Sequence, residues 1–571
     1  MKRHKKILFI IVSFILLLPL TSWADEVLRL EIKGVKGPAL TNVTTRLKLL
    51  QNNHLDAQAI KVFFNKAPKT IKSSLEPFGY FKADVLSQLT HQGSTWIARF
   101  TIYPGPTLTI NRLDLQVTGP GRDNPALQKV VEQFPLQPGQ AFNAEIYDEA
   151  KQKLFATANN QGYIKAVLDK KSVQINLKTY TADIVLHFNT NARYYIGAIH
   201  FNEAGFTEEF LRRFLPFHEG DPFSSKKLLK FQQNLTNSHY FSEINVTPEL
   251  QNITNDTVPI SITLRPNKSQ QYNVGLGYGT FTGPRLTIGT DLRHLTKTGH
   301  HMNVQLRLSP ILSGLAAQYI IPGKDPLTDQ YTIGANAQRF TPKNGTSTSQ
   351  TFFVGHTKNI YGWKSNLTLN YLREYYDIYT NLGTHSSRIL YPNLELSRVK
   401  ADHLLNPSRG YKISLNIRGA SKQVFSHSTF AQSELIGKVI FSPTENSHIL
   451  LRSDLGYTSV NDLTTLPLSL QFFAGGLDSV RGFPYSYFGP GRYLKIGSVE
   501  FQHRLYNDFY GAVFFDVGTA GDHFNDPLGK GVGVGLIYNS IVGPIRGYVG
   551  TGRTQGRPNH TSFELSMGRD L

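Results

Sequence analysis

From about Gln270 onward the chain alternates apolar and polar residues with a period of two, and this narrows the choice of fold more than any other feature. His301–Ser309 sets Met302, Val304, Leu306 and Leu308 against Asn303, Gln305, Arg307 and Ser309. Gly410–Arg418 sets Tyr411, Ile413, Leu415 and Ile417 against Lys412, Ser414, Asn416 and Arg418, and His448–Tyr457 behaves alike. Such alternation gives a strand two unlike faces. A soluble sandwich would alternate too, with its apolar face inward. Here the runs are about ten residues long, the length of a tilted membrane strand. Sixteen can be counted from Tyr272 to Leu571, an even number, and Trp363, Tyr371 and Tyr375 fall near predicted strand ends as interfacial aromatics do. The expectation is an all-β 16-stranded transmembrane barrel over 269–571.

Ahead of it, from Asp25 to about residue 268, a pattern recurs at roughly eighty residues. A helical stretch ends in an aromatic mark: Gly79-Tyr80-Phe81, Gly162-Tyr163-Ile164 and His239-Tyr240-Phe241. Pro138-Gly139-Gln140-Ala141-Phe142 and Glu219-Gly220-Asp221-Pro222-Phe223 open the helices Asn143–Asn160 and Ser224–Ser238. One strand-like run precedes each helical pair and two follow each mark. This predicts three α+β units, strand-helix-helix-strand-strand, at 25–107, 108–190 and 191–268. Tyr80, Phe81, Tyr163, Tyr240 and Phe241 are expected to close the helix–sheet cores rather than bind a ligand.

Met1–Ala24 reads as a secretory signal peptide, with Lys2, Arg3, Lys5 and Lys6 before the apolar Ile7–Leu18 and Ser22-Trp23-Ala24 before Asp25. There is no cysteine, so no disulfide framework and no thiol chemistry. A formal charge of +19 suits anionic headgroups or an acidic partner better than nucleic acid, for which no zinc spacing or basic helix is present.

Two features of the barrel region concern function. The segment from about Thr458 to Arg492 is long, rich in Gly, Phe and Tyr, and carries Val480-Arg481-Gly482-Phe483. A loop of that length is a functional candidate. A buried Arg481 needs carboxylates, and Glu500 and Asp516 lie just downstream. A three-residue turn Asn507–Phe509 would put those acids directly opposite each other, with a guanidinium between them. The second feature is the seam. The first strand, Tyr272–Thr280, has Gly275, Gly277 and Gly279 on one face, which weakens it. The last, Ser562–Leu571, presents Phe563 and Leu565 and ends on Leu571 without a terminal Phe. A weakly zipped seam would offer an edge for strand addition; small residues that only let the barrel curve are the plainer alternative.

The Val-Arg-Gly-Phe stretch, its two acids and the turn Asn406-Pro407-Ser408-Arg409-Gly410 together resemble the superfamily of outer-membrane assembly and secretion barrels that includes BamA, TamA and the two-partner secretion translocators. The resemblance implies that the loop folds into the lumen with Arg481 anchored by Glu500 and Asp516. It also implies that the repeats are periplasmic POTRA domains and that the barrel lies in the bacterial outer membrane. Three repeats resemble the TamA-type members, the outer-membrane subunit of the translocation and assembly module. That resemblance implies a TamB-like, inner-membrane-anchored partner, autotransporter or β-barrel clients, and contact with outer-membrane lipids. The expected role is assisted insertion by strand templating at the seam; a two-partner-type secretion pore, phospholipid transport and a passive porin are the alternatives. No Gly-x-Ser-x-Gly elbow, zinc helix or Walker loop occurs, so neither an enzyme nor a cofactor or metal site is expected.

Overall fold

The computed structural model describes residues 27–50, 56–93, 95–202, 205–279, 283–342, 345–378, 383–403, 406–540, 543–556 and 558–567. The signal-peptide reading and Leu571 therefore lie outside the described residues.

Three small sheets precede a 16-stranded antiparallel sheet. In each small sheet the third strand is central: Thr95–Tyr103, Thr181–Asn189 and Thr257–Pro266. In the first two repeats the opening strand runs parallel to it, as a helical crossover requires. Apolar helix faces cover these sheets. Val43, Leu47, Phe63 and Ile71 pack with Ala98 and Phe100 in the first, and Leu127, Leu154 and Ala158 with Ile184 and Phe188 in the second. Asn143 caps the helix Ala144–Asn160 by accepting from the Glu145 and Ile146 N–H groups.

The aromatic marks have a common backbone origin. Gly79, Gly162 and His239 hold φ of +84°, +94° and +58°, the left-handed conformation that ends a helix. Gly79 and Gly162 then give their carbonyls to the next repeat, to the N–H groups of Leu108 at 2.9 Å and Tyr194 at 2.8 Å. The aromatic pair consequently does more than close one core. Tyr80 packs on the first core and Tyr163 is buried in the second, but Phe81 packs against the second repeat's core. The Tyr180 hydroxyl accepts from the Phe81 and Lys82 N–H groups at 2.9 and 3.1 Å. Phe81 is thus a linker residue, not part of its own repeat's core.

The chain divides into two compact units. One holds the first two repeats with 218–228 and 248–260; the other holds 199–217, 229–247 and the barrel from Ser261. In the second unit Tyr240 is buried and donates its hydroxyl to the Gly299 carbonyl at 2.5 Å. Gly299 lies in the turn between barrel strands two (Gly283–Leu292) and three (His301–Leu308). The Thr207 N–H donates to the Lys297 carbonyl at 2.9 Å, and the Phe210 ring lies flush on Gly299. A side chain there would place Cβ 2.1 Å from that ring, at a φ of +81°. Gly299→Ala should therefore cost about 1–3 kcal/mol from backbone strain alone. It should show as a lower urea midpoint in detergent, and an unchanged midpoint would contradict this packing.

The barrel inverts a soluble protein. Ile333, Phe352, Leu367, Leu455 and Val534 are exposed on the outer face, while Ser349, Glu374, Gln432, Glu500 and Asp516 are buried within. Trp363 opens strand seven (Trp363–Ile378) and Tyr375 lies near its end, but Tyr371 sits at its middle rather than near an end.

Candidate functional site: the lumenal loop and the seam

Strand eleven (Ser447–Val460) and strand twelve (Tyr493–Tyr506) pair directly, so the 32 residues between them leave the sheet and return. They fold into the lumen. Phe472, Val480, Phe483, Tyr487 and Phe488 form an apolar cluster with Leu494, Ile496 and Ala520 of the wall.

Arg481 is 4% exposed, Glu500 4% and Asp516 0%. The Arg481 guanidinium grips Asp516 with both ends of its fork, Nε to Oδ2 and Nη2 to Oδ1, each at 2.8 Å. Nη1 bonds Glu500, and Nη2 also donates to Ser498 Oγ at 3.1 Å. The Arg481 backbone N–H adds a third bond to Asp516 at 2.9 Å. Glu500 is completed by the Tyr548 hydroxyl and the Gln502 amide, both at 2.8 Å. Phe514 lies under the guanidinium with its centroid 3.8 Å from Cζ. Nearly every donor and acceptor of the trio has a partner, the condition under which buried charge is tolerable.

The acids are not directly opposite. Ser498 faces Asp516 and Glu500 faces Phe514, so the carboxylates sit on a diagonal. The turn has two residues, Asn507 and Asp508, with Asn507 at φ +45°, and an irregularity between Arg504 and Tyr506 shifts the register. The diagonal spacing suits the fork better, since Ser498 can then bridge Arg481 and Asp516, donating to Oδ1 at 2.6 Å.

Four further wall residues that hold the loop were not read from the sequence. Arg452 of strand eleven donates to the carbonyls of Leu477 and Ser479. Glu374 of strand seven accepts from the Ser469 N–H at 3.0 Å and from its hydroxyl, and the Tyr376 hydroxyl donates to the Thr464 carbonyl at 2.6 Å. Glu564 of strand sixteen (His560–Met567) accepts from the Gly482 N–H at 3.1 Å. The loop is therefore a strap from strand seven to the last strand. A carboxylate alternating with Leu372 and Tyr376, or with Ser562 and Ser566, was the available signal.

The turn Asn406-Pro407-Ser408-Arg409-Gly410 is also built on a carboxylate. Asp402 accepts from the His403, Ser408 and Arg409 N–H groups at 2.9–3.2 Å. Burial pushes its carboxyl up, but the Ser408 hydroxyl and these N–H groups outweigh it and hold the pKa down to about 2.

The sheet begins with strand one (Gln270–Gly279) and ends with strand sixteen, and no ladder joins them among the described residues. Gly275, Gly277 and Gly279 share one face of strand one; Tyr272, Val274, Leu276 and Tyr278 are 61–84% exposed on the other. Phe563 and Leu565 are exposed on the lipid side of strand sixteen. A cavity of about 920 Å³ underlies the two edges, lined by Gly275, Gly277, Arg285, Tyr485, Glu564 and Leu565.

With this geometry in view, three family profiles match the chain: the Omp85 superfamily domain over residues 254–570, TamA POTRA domain 1 over 29–104, and a surface-antigen variable-number repeat of the POTRA type over 194–267. The outer membrane protein assembly factor BamA of Neisseria meningitidis is 21% identical over 454 residues, 73% of this chain and 56% of its own. BamA of Nitratidesulfovibrio vulgaris is 19% identical over 83% of this chain and 63% of its own. The chain thus spans less than two thirds of the length of either relative. The crystal structure of Haemophilus ducreyi BamA lacking POTRA domains 1–3 superposes with a TM-score of 0.67 at 15% identity, covering 81% of this chain and 99% of that one, a likeness of fold.

Proposed function

The chain belongs to the Omp85 superfamily, its barrel in the outer membrane and its POTRA repeats in the periplasm, and from that premise we propose that it is a non-enzymatic factor that inserts or translocates β-barrel and autotransporter proteins by offering its first strand as a template. One observation carries this reading: among the described residues no strand pairs with the outer edge of strand one, and that edge is unprotected. Gln270–Gly279 contains no charge and no proline, the devices that blunt a strand edge. In hydrocarbon each unpaired backbone group costs several kcal/mol, so such an edge calls for a partner strand. The glycines keep its lumenal face open over the cavity, where an incoming hairpin has room. The repeats, with their own sheet edges, would receive the client or a TamB-like partner by strand addition.

The test is to close the seam. Paired cysteines, one in Gln270–Gly279 and one in His560–Met567, can be installed without background because the chain has none. With the disulfide verified, client insertion into proteoliposomes should fall to the protein-free rate and recover with reductant. Full activity in the locked sample would contradict strand templating.

A further inference from the structure

Strands seven and eight (Thr384–Ala401) place Arg373 directly opposite Arg388. Both are exposed on the outer, lipid-facing side, in line with Leu367, Leu369 and Tyr371 of strand seven. Like charges directly opposite each other destabilise a sheet, so this pair calls for an anion. Among the described residues no ion pair supplies one. The nearest carboxylate on that face, Asp377, lies opposite Thr346 and Thr384 and forms no ion pair with either arginine among the described residues. Arg339 of strand five (Asp329–Phe340) adds a third exposed guanidinium, facing Thr348, which in turn faces Tyr375. Gln350 stands beside Arg373 on strand six (Gly345–Ile360), and the Tyr375 hydroxyl accepts from Arg373.

The height of the cluster fixes its surroundings. At the periplasmic end of the same face Arg398 lies over the Trp363 ring, with Lys400 beside it, as at a membrane interface. Between the two ends the paired rows are Ser365/Leu396, Leu367/Leu394, Leu369/Pro392 and Tyr371/Leu390. From Trp363 to Arg373 the strand climbs ten residues. At about 3.3 Å per residue and a tilt of ~40° that is about 25 Å, the height of the apolar band. Arg373, Arg388 and Arg339 therefore stand at the outer headgroup level, since the repeats fix the opposite end as periplasmic.

We infer that this rim of strands five to eight binds the phosphate groups of an outer-leaflet lipid. A guanidinium fork matches phosphate, and two forks from adjacent strands converge on one such group while their repulsion is neutralised. Tyr375 and Gln350 supply further polar contacts, and Leu369, Tyr371 and Leu390 line the surface along which the acyl chains would lie.

The test uses the full chain in neutral detergent, titrated with diphosphoryl lipid A, its dephosphorylated form and inorganic phosphate. The phosphorylated lipid should bind at least about tenfold more tightly than the dephosphorylated one, roughly the worth of one charge-assisted bond. Arg373→Gln/Arg388→Gln should lose that preference, and Arg339→Gln should lose part of it. Equal affinity in wild type and double variant would overturn the site, and inorganic phosphate binding as tightly as the lipid would overturn the lipid as ligand. Should the double variant not fold, Arg388→Gln alone decides. Without lipid it should melt no lower than wild type, because repulsion is relieved, and it should gain less from added lipid A; a lower melting point with an undiminished gain would contradict the assignment.

Discussion

Arg481→Ala should lower the stability of the folded barrel by about 3–5 kcal/mol, the cost of removing one member of a buried ion pair. Asp516 and Glu500 would remain buried, adjacent and of like charge, with four bonds to the guanidinium gone. The Phe514 ring would also lose the cation it packs against. The strap would lose its hold midway between Glu374 and Glu564. The checks are the urea midpoint in detergent and the heat at which the compact electrophoretic form is lost. Asp516→Asn should move both in the same direction, since Asp516 takes two of those bonds. Arg481→Lys should fall between, keeping the charge but not the fork. Wild-type values in Arg481→Ala would mean that the trio contributes nothing.

Gly531→Val should unseat the same loop with every charged partner left in place. Gly531 lies opposite Asp516 on strand fourteen (Gly529–Ser540), and a Cβ there would come within 2.0 Å of the Arg481 carbonyl oxygen. The Cβ position is fixed by the strand and the atom it meets is backbone, so the loop rather than a flexible side chain must give way. The readout is trypsin. In the wild type the bond after Arg481 is buried among Val480, Phe483 and the wall and should resist cleavage. In Gly531→Val it should be cut at the rate of an open loop. Protection equal to wild type would show that the loop does not depend on this close approach. The two variants separate causes, one removing the charge that draws the loop in and the other the space that admits it.

How far the sequence disclosed this architecture follows from which signals are local. Alternation exposed the barrel, because each lipid-facing residue announces itself within its own strand. The repeats were legible because their aromatic marks follow a left-handed residue that ends a helix. Arg481 with Glu500 and Asp516 could be grouped by charge alone. Their diagonal arrangement could not, because it depends on an irregularity near Leu505 that leaves no compositional trace. Glu374, Arg452 and Glu564 escaped notice for a related reason: each is one polar residue in a polar lumenal row, and only the folded loop distinguishes it. Phe81 was misplaced because its partner core belongs to the next repeat, about a hundred residues away at Tyr180. A side chain at Gly531 would strike the loop and one at Gly535 would strike the Tyr548 ring, which alternate glycines in a strand do not disclose.

The central claim is that the edge of strand one, which no strand among the described residues pairs, templates a client strand, and cysteine crosslinking tests it most directly. Single cysteines placed along Asn273–Gly279 should form mixed disulfides with an outer-membrane precursor that carries a cysteine in its final strand. The yield should peak at one register and fall at positions shifted by one residue, since a one-residue slip turns the side chain to the other face. Uniform or absent crosslinks, with the barrel correctly inserted and the precursor captured, would contradict templating at this edge.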